Sequence, residues 1–230
     1  MLSRRSALRA FCCVACAGAI QATPALAADP VPQTRLTPDQ ALARLMSGNR
    51  RFVRNQPQRP PIGSSRRHQL AGGQAPFASV VGCADSRVPP ETLFGVGLGE
   101  IFTARVAGNT VPSAALSSLV YSTEALGVPL ILVIGHERCG AVGAAVELVT
   151  RNAQPAPAML AMVEPIVPAV RAAQSMPGDL LDNAVRQNAI LVAQAMRADP
   201  AFAPRIQDGR LKIAAARYDL DDGAVQILAS

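Results

Sequence analysis

The sequence predicts an α/β fold: a central, mostly parallel β-sheet flanked by helices, with an N-terminal helical arm. Three observations carry that prediction. Residues 78–82 and 130–134 are short, nearly continuous apolar runs, the pattern of strands buried on both faces. Segments with helical spacing lie between the strand-like runs, as crossover connections require. Each run also ends directly at a block of chemically active residues, Cys83-Ala84-Asp85-Ser86-Arg87 and His136-Glu137-Arg138-Cys139-Gly140. Ligands in parallel sheets gather at the carboxyl ends of strands.

The elements follow in order. Residues 1–27 have the layout of a cleaved export signal: Arg4, Arg5 and Arg9, an apolar run over 10–20, then Ala25-Leu26-Ala27. Arg4-Arg5 after Ser3 reads as a twin-arginine signal. The run is too short to span a bilayer comfortably, and too little apolar sequence precedes Cys16 for a lipoprotein. Cleavage after Ala27 would leave a single catalytic domain, 28–230, in the periplasm and free of the membrane. Residues 28–35 read as a tail. Thr37 as N-cap, Pro38 at the first position and Gln40 closing a capping box begin a helix. Leu42, Leu45 and Met46 continue it, and Gly48 weakens its end. Residues 55–76, rich in Pro, Gly, Gln and Arg, read as an ordered loop or arm.

A buried strand over 78–82 delivers Cys83 at its tip. Residues 100–106 read as a second strand and 113–126 as a helix. Residues 130–134 form the strongest strand, ending at Gly135-His136, and 140–150 are helical. Residues 156–203 read as mostly helical, broken at Pro165, Pro168 and Pro177. Residues 211–217 and 224–228 are strands, with Asp221-Asp222-Gly223 as the hairpin turn.

Composition sets limits. The chain has 230 residues, 50% hydrophobic, and no Trp, which suits one domain with an aliphatic core. Formal net charge is +6, half of it from the arginines of the leader. No basic run with interleaved aromatics is present, so nucleic acid is not an expected partner.

Cys12, Cys13 and Cys16 fall in the leader, so the mature chain keeps only Cys83 and Cys139. Two cysteines in an oxidising compartment suggest a disulfide or a redox pair. These two lack a C-x-x-C arrangement, and His136 precedes Cys139 by three residues. Two thiolates and one imidazole, with a fourth position open, make the donor set of a catalytic zinc rather than of a closed structural site. Buried core cysteines are the plain alternative. Asp85 lies within reach of such a metal, and Arg87 is placed to hold it by a bidentate pair. Released, Asp85 would ligate the metal and shut the site. His68, in Ser64-Ser65-Arg66-Arg67-His68, reads as a solvated arm histidine rather than a proton shuttle.

The C-x-D-S-R block followed by H-x-x-C-G resembles the β-class carbonic anhydrases. Gly48-Asn49-Arg50-Arg51-Phe52, Gly97-Leu98-Gly99-Glu100-Ile101-Phe102, Arg105-Val106-Ala107-Gly108-Asn109 and Tyr218-Asp219-Leu220 match as well, so the resemblance covers about residues 36–230. It implies reversible hydration of CO2 to bicarbonate and a proton by zinc-bound hydroxide. Cys83, His136 and Cys139 would bind one Zn2+ per subunit, Asp85 and Arg87 would form the catalytic dyad, and Gly140 and Val96 would border the substrate. It also implies a homodimer, or a dimer of dimers. Gly95 and Val96 stand where many members carry Asp-Gln, which removes an amide that would hold substrate. Val80 stands where some bacterial members have the Trp of an inhibitory bicarbonate site, so no such site is expected. The alternatives are carbonyl sulfide or carbon disulfide hydrolysis on the same fold, and a non-catalytic zinc or bicarbonate binder.

Overall fold

The computed structural model describes residues 33–56, 58 and 60–230. The expected leader and its cleavage point lie outside the described residues.

Helix α1 (Pro38–Val53) begins where the capping pattern places it. Thr37 Oγ1 accepts the Gln40 N–H at 3.3 Å, and Gln40 Oε1 accepts the Thr37 N–H at 2.9 Å. Two donors that no helical carbonyl can reach are thereby satisfied. Ala41 and Leu45 dock the expected N-terminal arm onto this chain's own core. Gly48 does not mark the end of the helix. It lies inside α1, where a Cβ would come 1.9 Å from the Phe94 carbonyl oxygen. Glycine there lets α1 lie directly against another backbone. The stretch read as a loop also holds a short helix, α2 (Ser64–Leu70).

Strand β1 (Ala78–Gly82) leads through α3 (Pro90–Leu93) to β2 (Ile101–Arg105). A 3-10 turn at Ala107–Asn109 and helix α4 (Ser113–Glu124) then lead to β3 (Leu130–His136). Helix α5 (Gly140–Arg151) follows the second motif. The proline-marked region divides into α6 (Leu160–Val163), α7 (Val167–Ala173) and α8 (Leu180–Ala198). Pro168 sits in the first turn of α7, where its missing N–H costs nothing. Helix α9 (Ala203–Gln207) precedes β4 (Lys212–Tyr218) and β5 (Val225–Ala229).

The strand order is β2-β1-β3-β4-β5. The first four strands run parallel, and β5 returns antiparallel to β4. The chain goes from β1 to one neighbour, β2, and then crosses to the other side for β3. The direction of winding therefore reverses between β1 and β3, the crevice where such sheets bind ligands.

The sheet buries both faces. Val80, Leu132, Ile134, Ala214 and Ala216 join one apolar cluster with α1, α5 and α7. The alternate residues Val81, Ile131, Val133, Ile213 and Ala215 join the other, with Leu119 of α4 and Ala189 and Ala193 of α8. The alternation is the strand period of two. No helix among the described residues is long and apolar enough to cross a membrane.

Candidate metal centre

Cys83 follows β1 and His136 ends β3, so the two central strands deliver both to the winding reversal. Arg138 in the left-handed region (φ 50°) bends the chain back, and Cys139 becomes the N-cap of α5. One ligand atom from each of Cys83, His136 and Cys139 lies within 4.8 Å of the others. All three residues are buried, at 4%, 0% and 1% exposure.

His136 is held in one tautomer. Its Nδ1–H donates to the Glu137 carbonyl at 2.9 Å, so in the neutral ring Nε2 is the nitrogen with the free lone pair. Nε2 is buried and has no hydrogen-bond partner, a costly state for a polar atom. A metal ligand histidine is oriented in this way through its other nitrogen.

The thiols divide their charge. Cys83 is pulled well below its ordinary pKa, chiefly by the hydrogen bond from Cys139 and also by the N–H groups of Asp85 and Gly108. Cys139 is pushed up, because it donates that bond and would otherwise become a second buried negative charge. The N–H groups of Val142 and Ala141, in the first turn of α5, act the other way on Cys139. Ionising both thiols would set two negative charges side by side in a buried site, and a dication would offset that repulsion. Two thiolates and one imidazole suit zinc, and the partnerless Nε2 completes the fit.

Asp85 sits beside this cluster, with Oδ2 3.9 Å from His136 Nε2. Arg87 grips the carboxylate: its backbone N–H and Nε donate to Oδ1 at 2.9 and 3.0 Å, and Nη2 donates to Oδ2 at 2.8 Å. The grip holds Asp85 far below the usual carboxylate range. The carboxylate–guanidinium pair read from the sequence is therefore formed as an ion pair.

Val96 is buried in the same apolar cluster as Cys83, and its N–H donates to the Glu91 carbonyl at 3.0 Å. Gly140 opens α5, and a Cβ there would meet nothing within 4 Å. Packing inside the described chain does not require glycine at that position. His68 is exposed on α2.

Three residues to which the sequence reading gave no role support the site. Arg105 donates through Nε to the Cys83 carbonyl at 2.9 Å and through Nη2 to the Asp85 carbonyl at 2.6 Å. Gly108, at φ 72°, turns its N–H toward Cys83 Sγ at 3.3 Å. Asn188 of α8 donates to the Gly108 carbonyl at 2.7 Å. Arg105 and Gly108 stand in the 105–109 stretch that matches the family, whereas Asn188 left no signal.

Glu137, Asp219 and Asp221 also cluster within 4.8 Å. Arg138 bonds Asp221 at 2.7 and 3.1 Å, and Arg217 bonds Asp219 at 2.9 Å. This is an ion-pair network that ties the second motif to the turn before β5.

Comparison with known proteins places the chain in a family. A carbonic anhydrase family model matches residues 78–225. Carbonic anhydrase 2 of Mycobacterium tuberculosis is 40% identical over 190 residues, covering 81% of this chain and 90% of that protein. The carbonic anhydrase of Mycolicibacterium smegmatis is 37% identical over 191 residues, covering 83% and 93%. Among solved structures, the β-carbonic anhydrase CcaA superposes with a TM-score of 0.63 at 26% identity, covering 82% of this chain and 99% of that one. The Coccomyxa β-carbonic anhydrase in complex with acetazolamide gives 0.62 at 28% identity, covering 81% and 86%.

Proposed function

The chain belongs to the β-class carbonic anhydrases, enzymes that interconvert CO2 and bicarbonate, and from that premise we propose that Cys83, His136 and Cys139 hold one zinc ion per subunit, with Asp85 and Arg87 as the dyad that works beside it. The observation that carries the reading is His136 Nε2, buried without a partner next to two buried thiols.

Zinc held there would lower the pKa of a coordinated water from about 15.7 toward 7, supplying hydroxide near neutral pH. The residues of the chain do the rest. Glu137 fixes the imidazole tautomer through its carbonyl. Arg87 keeps the Asp85 carboxylate ionised and turned toward itself, so the fourth position stays free for water. Oδ2 can accept a hydrogen bond from the nucleophile and so orient it. Its low proton affinity makes it a poor resting place for the proton, which passes on to solvent or buffer. Val96 presents no amide to substrate, so substrate is held by fewer donors than in members with Gln at that place.

Self-association as a homodimer or a dimer of dimers belongs to the same reading, and sedimentation of the mature protein tests it. Export through the twin-arginine route to the periplasm rests on residues 1–27 alone. Cell fractionation, with and without an Arg4→Lys/Arg5→Lys change, tests that.

The deciding experiment is stopped-flow CO2 hydration near pH 8.5 on metal-quantified protein, beside Asp85→Ala. One zinc per subunit and zinc-dependent turnover, lowered about 100-fold or more in Asp85→Ala, is the expected result. Full turnover in Asp85→Ala would remove the dyad from the mechanism. Metal without turnover would overturn the activity assigned to this site.

A further inference from the structure

We propose that Arg105 is a positioning residue that keeps the metal site open by fixing the backbone of Asp85. The inference rests on the zinc reading above.

Arg105 closes β2 opposite Gly82 of β1. Its guanidinium spans the two carbonyls that flank Ala84, those of Cys83 and Asp85, at 2.9 and 2.6 Å. Residues 83–85 belong to no strand or helix, so no ladder supplies those carbonyls with partners. The Cys83 carbonyl relies on Arg105, and the Asp85 carbonyl has Arg105 and the Val88 N–H at 3.2 Å. A planar fork of donors fits two adjacent acceptors better than a single ammonium would. The neighbouring backbone reinforces the register: the Val106 N–H donates to the Gly82 carbonyl at 3.0 Å, and the Gly108 N–H reaches Cys83 Sγ.

Asp85 is thus held at two points, its carboxylate by Arg87 and its peptide by Arg105. Both arginines are exposed, the Arg87 side chain at 52%, so water competes for each hold and the two act together. Asp85 Oδ2 already stands 3.9 Å from His136 Nε2, and carboxylate oxygen is a good zinc ligand. A modest turn of the Asp85 peptide would carry the carboxylate off Arg87 and onto the metal, where it would displace water. Arg105 opposes that turn while touching neither substrate nor metal.

The test uses protein loaded with Co2+ in place of zinc, with azide titrated as the probe and the visible d–d absorption as the readout. Arg105→Gln should retain one metal per subunit, yet bind azide about tenfold more weakly, because the open form falls to roughly a tenth of the population. Adding Asp85→Ala to Arg105→Gln should restore azide affinity to that of Asp85→Ala alone. A purely structural role would not produce that rescue. Arg105→Lys, which puts a single ammonium in place of the fork, carries the same comparison if Arg105→Gln does not fold. Azide affinity unchanged in Arg105→Gln would overturn the proposal. So would an equal weakening that persists in the double variant, or loss of metal, since either places the effect on the Cys83 ligand rather than on Asp85. A wild-type protein that takes up no metal would overturn the zinc reading itself, and this inference with it.

Discussion

Replacing Gly108 by alanine tests the packing that aims a backbone N–H at Cys83. Gly108 has φ 72° and ψ 21°, and holding an L-residue in that left-handed region costs about 1–2 kcal/mol. A Cβ would also stand 2.6 Å from Ile166 Cδ1 and 3.2 Å from Ala141 Cβ. Ile166 is fully buried, so its Cδ1 cannot swing into solvent, and overpacking of this kind costs about 1–3 kcal/mol. Together the two effects amount to roughly 2–5 kcal/mol, a large part of the 5–15 kcal/mol typical of a domain's whole stability. At a urea slope of about 2 kcal/mol per molar, the unfolding midpoint should fall by about 1–2.5 M. Ile166→Val separates the contributions, because it deletes Cδ1 and leaves the backbone angle alone. By itself it should cost about 0.5–1.5 kcal/mol. Combined with Gly108→Ala it should cost clearly less than the sum of the two, and the difference measures the clash. Urea unfolding of the four proteins in the metal-free form decides the matter. A Gly108→Ala midpoint equal to wild type would refute the reasoning outright. Strict additivity would refute the Ile166 contact while leaving the backbone cost.

Other consequences can be checked together. Asn49 is buried and joins three segments, donating to the Gly223 and Leu93 carbonyls at 2.9 and 3.4 Å and accepting the Val225 N–H at 2.9 Å. Asn49→Ala should destabilise by about 1–3 kcal/mol for each buried group left unpaired, seen as a lower melting temperature. Asp219 is held near pKa about 2, chiefly by the Arg217 guanidinium. Its contribution is therefore present above the ordinary carboxylate value, near 3.9, and fades as pH falls toward 2. Asp219→Asn should be less stable than wild type at pH 7, and the gap should close between pH 4 and 2 in parallel urea titrations. Removing the metal with a chelator should lower the melting temperature, since binding energy at a site formed only in the folded chain is folding energy. Calorimetry with and without added Zn2+ measures that shift.

The two motifs were legible because their chemistry is local. Asp85 and Arg87 sit two residues apart, and a turn that brings Arg87 Nε and Nη2 onto one carboxylate needs no distant partner. Thr37 and Gln40 write the start of α1 in four residues for the same reason. Gly48 was misread because a glycine inside a helical pattern looks like a weak end. Its requirement comes from the Phe94 carbonyl, more than forty residues away. The helix inside 55–76 was masked by a composition typical of loops. Val96 and Gly140 were located, but neither has a contact within the described chain that assigns it to substrate.

By itself the sequence determined the strand and helix pattern, the donor types of a zinc site and the carboxylate–guanidinium pair, because each depends on residues a few positions apart. Only the tertiary structure decided that β1 and β3 lie side by side and bring Cys83 to His136 and Cys139. It also decided that Arg105, Gly108 and Asn188 hold the first motif in place. Those contacts run from side chains to backbone groups that gain partners only once strand register and helix packing are set, and single-residue preferences carry no record of such a register.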